Sequence, residues 1–488
     1  MRTVYKWLLF VILIVALICS FGGVFNQIKS KITEDRKERN KGDNRESPRS
    51  ELGPRRLGEL NRITKDYCHR SSPSGEEGIL RDNTNNRYKL VQAHALFRHG
   101  DRTSESPLLQ YLPPNDIECG LMDSSLEWRK LRSIKLKPHP SKTIVRNNKL
   151  RLFRGYKSQP CQKGHLTFVG FQQHSSLGLY FQSRYKDLVS DKSDKIFVQS
   201  TDMPRTIHSS AGFLVGFYSQ KKKVPHQAAI HVSRGILLGA PPPKVHRYYP
   251  YCENLYNIRR QEYLTSSQYR RIKWNTTQTA KKLLKALHLN ENLSSSITEV
   301  YDAFWPLLCH KKPNPCVAYA CLNDSVLIEG ARSAHLQYAN KDPSNYSILA
   351  SQPYLYHTVL HSMDSAITSI SKGSEKYMRL SLSFGHDSNI APLLATIGWK
   401  LDYWPSYASR VVMELWKDTS KTPTSEDDYY VRVLFNGRVI SDKLPFGDEN
   451  QFTAGKQLLK YNVWKNYLTT GPYREITSYI RHCRTSPP

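Results

Sequence analysis

The sequence predicts an α/β protein: a sheet flanked by helices, interrupted by a mostly helical inserted cap, behind a single N-terminal membrane anchor. Three observations predict it. Strand-like and helix-like segments alternate both early and late in the body of the chain, as in a helix-flanked sheet. Between about residues 216 and 375 the helical pattern dominates. Only one apolar run in the 488 residues is long enough to span a bilayer, which excludes a polytopic membrane protein.

That run, Trp7 to Phe25, holds 19 residues without a formal charge and follows Arg2 and Lys6. At ~1.5 Å per residue it spans about 28 Å, near the hydrocarbon thickness of early secretory membranes. Residues 1–6 are therefore expected as a cytoplasmic tail and 7–25 as a transmembrane signal-anchor, with Lys29 and Lys31 weighing against that orientation without reversing it. A cleaved signal, with Ser20 and Gly22 near its end, is the alternative. Residues 26–66 read as a solvated lumenal stem with little to bury.

The body, 67–488, is expected to split into a core of about 67–215 and 376–488 and a helical insertion of about 216–375. Tyr88–Phe97 (YKLVQAHALF) reads as a buried strand, and Leu166–Tyr185 as a helix. Gly170, His174, Leu177, Gly178, Phe181 and Tyr185 fall on one face of that helix, the glycines allowing close packing and His174 being structural. Residues 255–300 are helix-like around KKLLKAL. Lys376–Phe384 alternates as a strand, Asn389–Gly398 reads as a helix, and Arg410–Trp416 and Tyr430–Phe435 are strands with Asn436-Gly437 as the turn after the second.

Lys and Arg number 71 against 42 Asp and Glu, a net charge of +29. The stretch 28–66 holds 12 Lys and Arg against 8 Asp and Glu, and Arg2 and Lys6 add two more, so +23 belongs to the body. Such a balance calls for an anionic partner. Aromatics at 11% exclude wholesale disorder. Sequons at Asn275, Asn292, Asn323 and Asn345 mark these residues as glycosylation sites and the body as lumenal, which sets nucleic acid aside. Beyond Cys19 stand eight cysteines, an even number that favours disulfides in an oxidising compartment, with 105 pairings open. Cys309-His310, Cys316 and Cys321 as a zinc cluster is a weaker alternative, because the spacing fits no standard ligand pattern.

The segment that carries chemistry is Phe97-Arg98-His99-Gly100-Asp101-Arg102-Thr103, at the end of the first expected strand, where ligands bind in open α/β sheets. A polar loop of solvated charges is the bland reading. Against it, an imidazole is the side chain that serves as an uncharged nucleophile near neutrality. Two flanking guanidiniums match phosphate oxygens. Gly100 is expected to let the backbone approach a bound anion.

These residues resemble the histidine acid phosphatases. Gly164-His165-Leu166-Thr167, Gly170, Gln173-His174, Leu177-Gly178 and Arg184-Tyr185 match that family's helix after the first strand. Ser200-Thr201-Asp202-Met203-Pro204-Arg205-Thr206 matches the segment with its third arginine, and Gly385-His386-Asp387 its late His-Asp pair. The matches run in order over about 67–483. The resemblance implies a histidine-phosphatase-like fold and a phosphomonoester hydrolase. In it His99 forms a phosphohistidine, Arg98, Arg102, Arg205 and His386 bind the phosphoryl group, and Asp387 is the proton donor. It implies no cofactor and no metal. Asp387 is expected to have a raised pKa beside a phosphate dianion. Ser104 departs from the family's usual proline, with little expected consequence.

Leu308-Cys309-His310, Met413-Glu414-Leu415-Trp416, Leu434-Phe435-Asn436-Gly437 and His482-Cys483 extend the resemblance to Golgi members acting on proteoglycans. They imply removal of the 2-phosphate from xylose in the glycosaminoglycan-protein linkage region, in a single-pass type II Golgi membrane protein, with basic surface outside the pocket engaging the glycan. An inositol polyphosphate or broad-specificity acid phosphatase is the enzymatic alternative, told apart by an inositol hexakisphosphate assay. A glycan-binding pseudophosphatase is the non-enzymatic one, and predicts no phosphate release from any ester.

Overall fold

The computed structural model describes residues 54–69, 72–81, 86–113, 117, 119, 125–138, 161–189, 195–225, 228–233, 252, 254–421, 425–445 and 448–484. The expected anchor at 7–25 and most of the expected stem lie outside these residues. Among the described residues, no helix is long and apolar enough to cross a membrane.

In chain order the elements are α1 (Pro54–Cys68), β1 (Tyr88–Arg98), α2 (Ser125–Ser133), β2 (Leu136–Pro138), α3 (Phe168–Val189), β3 (Ile196–Thr201), α4 (Pro204–Phe217) and β4 (Ile230–Ser233). A helical region follows, with α5 (Leu255–Thr265), α6 (Ser267–Ala286), α7 (Ile297–Cys309), the small hairpin β5 (Cys316–Val317) and β6 (Ala320–Cys321), and α8 (Asp324–Ala339). The chain returns through α9 (Ser344–Pro353), a wide-turned segment Tyr354–Leu360, α10 (His361–Ser371), β7 (Leu380–Gly385) and α11 (Asp387–Thr396). It ends with β8 (Arg410–Asp418), β9 (Tyr429–Phe435), β10 (Arg438–Val439), β11 (Phe452–Thr453), β12 (Leu458–Lys460), α12 (Tyr461–Thr469) and α13 (Ile476–Arg484).

All strands except the β5–β6 hairpin join one ten-stranded sheet of order β11-β12-β9-β8-β1-β7-β3-β4-β2, with β10 hanging on β9. β1 lies parallel to β7, with Arg98 opposite Gly385, and antiparallel to β8. β7, β3, β4 and β2 continue the parallel half. The sheet is buried on both faces, as parallel sheets require. Ala93, Ala95 and Phe97 point to a core with Phe171, Phe181 and Phe213 of α3 and α4. Val91 and Leu96 point to the opposite core with Leu355, Val359, Ile390 and Trp464.

The α3–α4 crossing depends on two glycines. A Cβ on Gly178 would meet the Phe213 carbonyl oxygen at 2.0 Å, and one on Gly216 the Ser175 oxygen at 1.9 Å. Asn436 and Gly437 both take positive φ, 48° and 84°, and turn β9 into β10 as expected.

Three boundaries differ from expectation. Residues 54–66 belong to a helix, α1, whose Leu60, Tyr67 and Cys68 are buried against the helical region. The dense surface charge hides that narrow apolar stripe. The expected insertion of 216–375 is too wide. β4 belongs to the sheet, and the run from α9 to α10 covers one sheet face with Leu355, Val359 and Met363, leaving α5 to α8 as the helical region. Lys376–Arg379 precede β7 rather than opening it. β3 escapes a period-two reading of the sequence because it is buried on both sides and shows no alternation.

The eight cysteines pair as Cys68–Cys309, Cys119–Cys161, Cys252–Cys483 and Cys316–Cys321. The zinc reading fails, since Cys309, Cys316 and Cys321 are disulfide sulfurs and not thiolates. Cys68–Cys309 ties the end of α1 to the end of α7, and Cys252–Cys483 ties the start of the helical region to α13. Of the sequon residues, Asn275, Asn292 and Asn323 are exposed and Asn345 is half-buried.

Candidate active site

The C-terminal ends of three adjacent parallel strands bring the expected residues together. β1 delivers Arg98 and His99, β7 delivers His386 and Asp387, and β3 leads through Thr201 to Arg205 at the start of α4. This is the edge of an open sheet at which ligands sit. His99 and His386 are 2% and 3% exposed, with ring centroids 5.6 Å apart.

His99 has a fixed tautomer. Its Nδ1 lies 2.8 Å from the carbonyl oxygen of Gly100, which can only accept, so Nδ1 carries the proton and Nε2 keeps a bare lone pair. Burial, then the charges of Arg205, Arg98 and Arg102, hold the imidazole well below its ordinary pKa. Both effects favour the neutral ring. The backbone under it is fixed by the His99 N–H to the Gly385 carbonyl, 2.9 Å, and by His174 Nε2–H to the Arg98 carbonyl, 3.1 Å. His174 is structural, as expected, in direct support of the strand end.

Gly100 has a different reason from the one expected. A Cβ there would meet the carbonyl oxygen of Gly170 at 2.4 Å, so the residue admits the first turn of α3 rather than a ligand. Asp101 turns away from the cluster and accepts from Thr167 Oγ1 at 2.5 Å, while His310 Nε2 lies 2.6 Å from its carboxylate at the end of α7.

The three arginines are held differently. Arg98 is fully buried, donates to the Pro405 carbonyl and to the Tyr67 hydroxyl at 3.0 Å, and lies 4.6 Å from the Tyr407 ring centroid. Its Nη2 is 3.3 Å from Asp387 Oδ2. Arg102 pairs with Asp302 of α7 at 2.7 Å. That carboxylate also accepts from Ser104 Oγ at 2.9 Å and from the backbone N–H groups of Glu105 and Ser106 at 2.7 and 3.2 Å. Ser104 is therefore more than a neutral departure, since its hydroxyl orients the partner of Arg102. Arg205 donates to Glu105 Oε1 at 2.8 Å, and the other oxygen of Glu105 is 3.9 Å from Arg102. One carboxylate, 45% exposed, therefore bridges two of the three guanidiniums.

His386 caps α11, and its Nε2 lies 2.9 Å from Thr201 Oγ1. Burial first, then Arg205, pull its pKa down to about 3. Asp387 accepts from the Trp404 indole N–H. Burial pushes its carboxyl up, but Arg98, Lys341, the Trp404 hydrogen bond and Arg102 outweigh that and hold it well below the usual carboxylate range. The raised pKa expected for it is therefore not a property of the protein groups by themselves, among which the arginines dominate.

Sequence reasoning missed Asp302 and Glu105. Asp302 left a signal, as the one charged residue within an otherwise apolar run, YDAFWPLLC, of a buried helix. Among the described residues no group of His, Cys, Asp and Glu is arranged to hold a metal ion.

The arrangement is a buried histidine among three guanidiniums at a strand end, a chemistry suited to an anionic group. The profile of the histidine phosphatase superfamily (branch 2) matches residues 89–436, and the chain belongs to that family. It is a histidine acid phosphatase, a phosphoric monoester hydrolase. Among its relatives, 2-phosphoxylose phosphatase 1 of Mus musculus is 27% identical over 403 residues, covering 77% of this chain and 76% of the relative. Counting factor 60 of Dictyostelium discoideum is 26% identical over 374 residues, covering 72% and 80%. The crystal structure of Bifidobacterium longum multiple inositol polyphosphate phosphatase in complex with inositol hexasulfate matches with a TM-score of 0.50 at 12% identity, covering 84% of this chain and 98% of that one, a likeness of fold.

Proposed function

We propose that the enzyme hydrolyses a phosphomonoester on a glycan through a phosphohistidine, and that the ester is the 2-phosphate of xylose in the glycosaminoglycan-protein linkage region. The observation that carries the mechanism is the Nδ1–H of His99 on the Gly100 carbonyl, which leaves Nε2 as the nucleophile. Its lone pair attacks phosphorus as the ester P–O bond breaks. Arg98, Arg102 and Arg205 balance the charge on the phosphoryl oxygens, and His386 adds a donor. Asp387 gives a proton to the departing alkoxide, then takes one from the water that cleaves the P–N bond and restores the lone pair. The dianion of the substrate offsets Arg98 and Arg102, so Asp387 gains its proton as substrate binds.

The likeness to 2-phosphoxylose phosphatase 1 over most of both chains supports the glycan substrate. Four disulfides and three exposed sequon asparagines support a secretory lumen, and with the apolar run at 7–25 a type II Golgi membrane protein. Glu105 beside the clamp weighs against inositol polyphosphates, whose further phosphates would face it. The test is phosphate release from a phosphoxylosyl linkage oligosaccharide, inositol hexakisphosphate and an aryl phosphate, with His99→Ala as control. The oligosaccharide is expected to be hydrolysed with the highest kcat/KM. Preference for inositol hexakisphosphate overturns the substrate, and unchanged activity in His99→Ala overturns the mechanism.

A further inference from the structure

The helical region carries an open cavity of about 480 Å³, within the range of small-ligand sites. Tyr256, Arg259, Arg260 and Tyr263 line it from α5 at the i, i+3, i+4, i+7 spacing of a single helix face, and Lys273 of α6 and Lys341 beyond α8 join them among neutral neighbours. Four cations thus face one space.

Nearby carboxylates leave much of that charge unmet. Asp342 takes Arg259 at 3.2 Å and Lys341 at 2.5 Å. Glu262 is occupied by the backbone N–H groups of Asn345 and Tyr346. Among the described residues neither Arg260 nor Lys273 forms an ion pair, Glu299 acting on Lys273 only from farther off, and the Lys273 ammonium donates to the Ser295 carbonyl at 2.9 Å. Tyr256 is 77% exposed, unusual for a tyrosine without a partner to cover it. An exposed aromatic face between cations suits a sugar ring that carries acids, the ring stacking and the acids pairing.

A relay of side-chain contacts also links the cavity to the candidate site. Lys341 Nζ lies 4.4 Å from the Tyr338 ring centroid, Tyr338 stacks on Trp404 at 4.8 Å, and the Trp404 indole N–H donates to Asp387.

We propose that this cavity is a saccharide subsite that binds the uronate- or sulfate-bearing part of the glycan whose phosphate lies at His99. The assignment rests on the phosphoglycan reading above, but its test does not. The probe is a chondroitin sulfate hexasaccharide without phosphate, titrated calorimetrically into the full-length protein, its Arg260→Glu/Lys273→Glu variant and Tyr256→Ala. Binding is expected to weaken about ten-fold or more in the charge variant and several-fold in Tyr256→Ala, with kcat/KM for an aryl phosphate unchanged in both. Equal affinity in wild type and the charge variant overturns the subsite. A polyglutamate peptide binding as tightly as the hexasaccharide, and indifferent to Tyr256→Ala, overturns its saccharide character. If hexasaccharide binding follows these variants while wild type spares the phosphoxylosyl substrate, the subsite stands and the phosphoxylose reading falls.

Discussion

Glu105 is the most informative single residue to change, because two accounts of it predict opposite signs. Its carboxylate sits 2.8 Å from Arg205 and 3.9 Å from Arg102, where the proposed mechanism puts the phosphoryl oxygens. If it is a placeholder, phosphate must displace it. A carboxylate that swings to solvent gives up a half-exposed ion pair, at least about 0.5 kcal/mol, whereas one that stays ~5 Å from a dianion under water-like screening costs about 2 kcal/mol. Glu105→Gln keeps the shape and removes the charge, so inorganic phosphate should inhibit the variant roughly 2-fold to 30-fold more tightly. The assay is the competitive Ki for phosphate against an aryl phosphate, at fixed ionic strength because the effect is screened by salt. If Glu105 instead orients Arg205, its loss loosens the clamp. A Ki that rises, or does not move, refutes the placeholder reasoning.

Asp302→Ala should destabilise the fold by about 3 kcal/mol in urea unfolding, because it strands the buried Arg102 guanidinium and three further donors, and it should raise KM. Gly216→Ala should cost about 3 kcal/mol and leave kcat unchanged in the protein that still folds, since its Cβ would overlap the Ser175 carbonyl far from His99. Melting temperature should fall from pH 7 to pH 5. Burial pulls His94, His174 and His208 down to about 3, so each binds its proton only on unfolding, and that stability is full above the ordinary 6.5 and lost as pH falls toward 3. Each histidine contributes up to about 2 kcal/mol over that interval, and a melting temperature that is flat or higher at pH 5 contradicts the assignment.

The strand ends and the gathering of the candidate site residues are legible in the sequence because each piece is local. Arg98 to Arg102, Thr201 to Arg205 and His386-Asp387 are short strings whose residue types share one chemistry, and hydrophobic runs lead directly into the ends of β1 and β7. What stays hidden is what depends on distant partners. Asp302 reaches Arg102 across 200 residues, and nothing around Arg102 announces it. Ser104 reads as a neutral departure until its hydroxyl is placed on that carboxylate. Gly100 has the small size suited to anion approach, yet its close neighbour is Gly170 of α3. The end of the expected stem becomes α1 because Leu60, Tyr67 and a disulfide to Cys309 supply burial that a charge-rich composition conceals.

The central claim is that His99 Nε2 takes the phosphoryl group. The direct measurement is a rapid-quench reaction with a radiolabelled phosphomonoester, stopped in base to preserve phosphohistidine and mapped by proteolysis. The account predicts an acid-labile, base-stable label on the peptide that contains His99, formed faster than turnover and absent in His99→Ala. Label on any other residue, or turnover by His99→Ala at the wild-type rate, contradicts it.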